Sequence, residues 1–117
     1  MATVKTSYYS GPDRRRRRVY VTQNHEYHCK DGVCLAVRDR ISGAFLKTHR
    51  AIGKKASAAV TLANGGIGSI APPEEARPGE RMHFVSGPED PKDVLTSPLR
   101  SIERPARDLV EQYDVAS

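Results

Sequence analysis

Residues 26–37 read Glu26-Tyr27-His28-Cys29-Lys30-Asp31-Gly32-Val33-Cys34-Leu35-Ala36-Val37. An Asp-Gly pair between two apolar-bearing runs is a strong short-range hairpin signal. Two registers compete. A two-residue turn at Asp31-Gly32 pairs Cys29 with Cys34. A three-residue turn with Gly32 left-handed pairs Cys29 with Val33 and Tyr27 with Leu35. The second puts Tyr27, Cys29, Val33, Leu35 and Val37 on one face. The first sets those apolar residues against Lys30, His28 and Glu26. Register follows the buried face, so the three-residue turn is expected.

Working outward, Val19-Tyr20-Val21-Thr22 is rich in strand formers. Residues 39–43 form a second turn, and Ala44-Phe45-Leu46 resumes a strand. Val60-Thr61-Leu62 has strand character, while Ala56 to Ala59 also permit a helical turn. Asn64-Gly65-Gly66 forces a reversal. Residues 67–80 hold Gly68, Pro72, Pro73, Pro78 and Gly79 and read as a long loop. Strands are expected at residues 81–85, 93–96 and 99–103, with Pro98 marking an edge or a bend. Pro105 to Tyr113 reads as a helix, with Leu109, Val110 and Tyr113 as the stripe that packs on the sheet.

The fold expected is mainly β. It is a small barrel or strongly curved antiparallel sheet of six or seven short strands, with one C-terminal helix. The chain has 117 residues, no Trp and two Phe, so its core must rest on Val, Leu, Ile and a few Tyr. Nine Gly and eight Pro argue against a helical bundle.

Charge divides the chain. Residues 1–55 carry 13 Lys and Arg against 4 Asp and Glu, whereas residues 56–117 carry 6 against 10. Five adjacent arginines, Arg14, Arg15, Arg16, Arg17 and Arg18, repel one another and call for an anionic partner or free solvation. Residues 1–18 are read as a flexible basic arm, and residues 19–117 as a single domain. Guanidinium groups bind phosphate bidentately and stack on base faces. Tyr8, Tyr9 and Tyr20 flank the run and could stack on bases. Arg50, Lys54 and Lys55, with Lys47, extend the positive surface.

Other chemistries are weaker. His25, His28, Cys29 and Cys34 lie close in sequence, but His28 and Cys29 point to opposite faces of a strand, so no metal site is expected. Cys34 near His28 lacks an oxyanion hole and an orienting third group, and no enzyme activity is expected. Asn64-Gly65-Gly66-Ile67-Gly68 lacks the Lys-Ser/Thr of a phosphate loop and reads as a plain turn. No cofactor is expected. No apolar run approaches a membrane span, and the first residues lack a secretory core, which points to the cytoplasm. Thiols there stay reduced, so no disulfide between Cys29 and Cys34 is expected.

Arg14 and Arg18 form Arg-x-x-x-Arg, and Asp39-Arg40-Ile41-Ser42-Gly43-Ala44-Phe45-Leu46 follows about twenty residues on. Residues 14–46 resemble the PilZ family, small β-barrels that bind cyclic di-GMP through Arg-x-x-x-Arg and Asp/Asn-x-Ser-x-x-Gly. Here Ser42 stands three residues after Asp39 rather than two, and Gly43 follows at once. The resemblance implies that Arg14 and Arg18 grip guanine edges and phosphates while Asp39 and Ser42 line the opposite wall.

Three functions follow as expectations. The first is a non-enzymatic binding domain whose arginine-rich arm engages a polyanion, nucleic acid foremost. The second is a PilZ-like cyclic di-GMP sensor. The third is an assembly module that self-associates through its basic front and acidic back.

Overall fold

The Asp31-Gly32 hairpin forms in the tighter of the two registers. In the computed structural model, which describes residues 16–86 and 93–114, β2 (His25–Lys30) and β3 (Val33–Asp39) are antiparallel. Lys30 lies opposite Val33 and Cys29 opposite Cys34. Asp31 has φ 54° and Gly32 φ 83°. Two consecutive positive values are what a type I′ turn requires.

This corrects the expected pairing of Cys29 with Val33 and Tyr27 with Leu35. A bulge reconciles the short turn with the buried face. The register shifts between His28 and Cys29, Leu35 becomes the extra residue, and Tyr27 comes opposite Val37. Tyr27, Cys29, Cys34 and Val37 are all buried, while Leu35 stays 37% exposed.

The remaining elements are β1 (Arg17–Val21), β4 (Lys55–Ala63), β5 (Gly66–Ala71), β6 (Arg81–Val85), β7 (Val94–Leu95), β8 (Ser101–Glu103) and the helix α1 (Arg107–Asp114). A 3-10 turn, Pro73–Glu75, follows β5. The strand order is β7-β6-β4-β3-β2-β1-β8, with β5 beside β4. The fold is thus mainly β, one antiparallel sheet with a C-terminal helix. Its terminal strands β7 and β8 do not pair with each other among the described residues, so the sheet is open, not a closed barrel.

Several expectations are corrected. Among the described residues eight strands are present rather than six or seven. Residues 67–71, expected to begin a long loop, belong to a strand, Gly66–Ala71, because the long β4 offers it a ladder from Ala59 to Ala63. Ala56 to Ala59 are extended, not helical. Ala44 to Leu46 contribute only an isolated bridge between Phe45 and Arg38. The boundary placed between Arg18 and Val19 falls inside β1. The rest of the expected arm, residues 1–15, lies outside the described residues, as do Tyr8 and Tyr9.

The sheet has two apolar faces. Tyr20, Tyr27, Cys29, Cys34, Val37, Met82 and Phe84 form the main core. Arg17 and Val19 alternate with Tyr20 and face the other way, and Val19 lies opposite His28. Helix α1 covers this second face. Val110 is fully buried, and the Tyr113 ring stands 5.1 Å from that of His28. Leu109 is only half-buried, so Val110 and Tyr113 anchor the helix.

His28 makes this layer pH-sensitive. It is fully buried, its Nε2 lies 3.0 Å from Glu26 Oε1, and Phe45 packs 5.2 Å away. Its Nδ1 has no hydrogen-bond partner among the described residues. Burial pushes its pKa below the ordinary 6.5, against the pull of the Glu26 carboxylate; Arg38 lowers it further. Below about pH 6.5 the unfolded chain takes up a proton that folded His28 resists. Stability should therefore be constant above that pH and fall as pH drops through it. His49 is shifted the same way by its burial and by His25. Melts between pH 8 and 5 should show this decline, and His28→Leu should flatten most of it. An undiminished slope in that variant would assign the effect to other groups.

Candidate phosphate-binding site

Strand alternation sorts the arginine run. Arg17 is fully buried, on the face that α1 covers. Arg18 is half-buried, beside Tyr20 on the core side, and Arg16 is exposed just before the strand. Arg16 and Arg18 therefore meet at one mouth of the core, whereas Arg17 cannot be a ligand contact. Arg14 and Arg15 lie outside the described residues.

That mouth is a cavity of about 410 Å³. Its floor is Tyr20, Cys29 and Ala56, all core residues, and its rim includes Arg16, Arg18, Lys55, Asp31 and Glu74. The elements bring these residues together from distant parts of the chain. Arg17 pairs with Lys30, which sets Arg16 beside the Asp31-Gly32 turn. Arg16 Nε donates to Asp31 Oδ1 at 2.7 Å, and its Nη2 donates to Asp31 Oδ2. Lys55 opens β4 opposite Val33. Arg18 Nη1 donates to the Glu74 carbonyl at 3.2 Å, holding the 3-10 turn as a lip over the cavity.

The electrostatics suit an anion. Three cations face two carboxylates at the rim. The Arg16 guanidinium holds the Asp31 carboxyl below its usual range, so that pair stays ionised. Tyr20 is pushed up to about 12, first by burial and next by Cys29, and stays a neutral phenol. Cys29 is pushed well above the ordinary thiol value by its hydrogen bond with Cys34 and by burial. Such a thiol is a poor nucleophile. Both cysteines are free. An apolar floor with a cationic rim accommodates a flat ring below and a phosphate above.

The other expected residues are placed as follows. Tyr20 lines the cavity but is 3% exposed, so it is a core residue first. Lys54 is half-buried beside Lys55, and Arg50 is exposed in the preceding turn; neither lines the cavity. Asp39 lies opposite His25, whereas Arg18 lies opposite Cys29. Four residues of β2 separate the two, about 13 Å along the strand. Asp39 is engaged locally, accepting from the Ile41 N–H at 3.1 Å and from Ser42 Oγ at 3.0 Å. Those bonds hold its carboxyl below the usual range. The rim members Asp31 and Glu74 and the floor residues Cys29 and Ala56 were missed as site residues. Asp31 had a usable signal, because a turn of this hairpin must lie beside β1. Glu74 had none, being 56 residues from the arginine it touches.

Among the described residues, no group of three or more His, Cys, Asp or Glu side chains is placed to hold a metal ion, and no helix is long and apolar enough to cross a membrane. No family model matches this chain, and neither a curated protein nor a solved structure is significantly similar to it.

Proposed function

We propose that the protein is a non-enzymatic binding domain that takes a phosphate-bearing nucleotide unit of a nucleic-acid strand at the cavity between β1, the β2–β3 turn and the 3-10 lip. The observation that carries this reading is the convergence of Arg16, Arg18 and Lys55 on one apolar-floored cavity. Phosphate oxygens would meet the Arg18 and Lys55 cations, with the Asp31-held Arg16 guanidinium beside them, and a base would enter over the floor. A cyclic dinucleotide is the second reading, favoured by the cavity volume of about 410 Å³. It lacks the expected wall at this mouth, because Asp39 and Ser42 sit at the far end of the hairpin.

The test is a titration of the full chain with a fluorescently labelled single-stranded oligonucleotide over a range of salt, with cyclic di-GMP as competitor. Two to three phosphate contacts predict a log–log salt slope of roughly −1.4 to −2.1. Displacement by cyclic di-GMP at low occupancy would favour the second reading. Absence of binding to both at low salt would reject a phosphate site.

A further inference from the structure

β5 is an unguarded sheet edge. Among the described residues it pairs only with β4, and Gly66 to Ile70 are exposed. It carries no charge and no proline, the usual devices that stop edge pairing. Its one bulge works the other way. Ile70 lies opposite Val60, Ser69 opposite Thr61 and Ile67 opposite Leu62, which leaves Gly68 as the extra residue. The bulge thus puts Ile67 and Ile70, three residues apart, on the same face. A Cβ at Gly68 would meet the Ala63 Cβ at 3.1 Å and the Thr61 carbonyl oxygen at 3.3 Å, so the bulge suits glycine. The resulting apolar face holds Leu62 at 46%, Ile67 at 60% and Ile70 at 66% exposure.

The occupant is written in the strand. Gly66-Ile67-Gly68-Ser69-Ile70-Ala71 reads small, Ile, small, small, Ile, small in either direction. An antiparallel copy of the same strand matches that order without remainder. About a two-fold axis between Gly68 and Ser69, Ile67 of each copy lies opposite Ile70 of the other, and no charges oppose. We propose that two copies of this chain pair along β5 into one continuous sheet. Open backbone groups of each edge are then satisfied, and two Ile–Ile pairs close over the join.

This contact differs from a basic-front to acidic-back association, which salt would dissolve. Sedimentation of the full chain at about 1 M salt, where the screening length is about 3 Å, should still show a dimer. Ile67→Lys with Ile70→Lys should give a folded monomer whose melting no longer depends on protein concentration, because both side chains are exposed in the single chain. Ile41→Lys, in the turn after β3 and 84% exposed, should remain dimeric. A native monomer at the highest attainable concentration would overturn the proposal. So would a dimer that survives the double lysine variant, or one that Ile41→Lys alone dissociates.

Discussion

Arg17→Ala should destabilise the domain by about 3–5 kcal/mol, while Arg16→Ala next to it should leave melting nearly unchanged. The two side chains have the same chemistry and differ in place. Arg17 is fully buried on the face covered by α1 and is not without a partner. Truncation removes a large packed side chain and leaves its partners uncompensated. Arg16 pairs with Asp31 at the surface, where water replaces a lost ion pair with little consequence. Net stability of a domain is only about 5–15 kcal/mol, and each kcal/mol is worth about 4–8 °C at this size. Thermal unfolding should therefore separate the variants by about 12 °C or more. Equal melting temperatures would mean that Arg17 does not hold the layer under the helix.

Replacing Arg16 and Arg18 together by Ser should weaken oligonucleotide binding about 100-fold, equivalent to about 2.7 kcal/mol. A hydrogen bond to a charged group contributes about 1.5–3 kcal/mol, so two lost phosphate contacts reach this range even with partial compensation by Lys55. The salt slope should flatten by about 0.7 for each contact removed. Melting should change little, because neither guanidinium is in the core. Arg18→Lys separates charge from geometry, since Lys keeps the charge but not the planar fork. It should retain the salt slope and lose part of the affinity. Unchanged binding in the double Ser variant would move the site away from this cavity.

The cavity explains why a run of five arginines was only partly legible. Composition showed that residues 14–18 must find anions or water, and this holds for Arg16, which finds Asp31. A one-dimensional reading treats the five as equivalent. Strand formation makes them inequivalent, because successive side chains point to opposite faces. Whether the strand began at Arg17 or Val19 depended on β2 and β8 offering partners, and residues 17–21 alone do not contain that information.

The hairpin shows the same division. Asp31-Gly32 with flanking apolar runs determined that the chain turns there, because few residues other than Gly tolerate the backbone of such a turn. The helix at residues 107–114 was likewise legible from Pro105 and the spacing of Val110 and Tyr113. These are local signals, expressed within a few residues. The register, the bulge at Leu35, the pairing of β5 and the lip formed by Glu74 were decided by tertiary structure. Each required two segments distant in sequence to compete for one face or one edge. A buried face can be satisfied by shifting a whole strand or by bulging one residue of it, and only the packed neighbours decide which is lower in free energy.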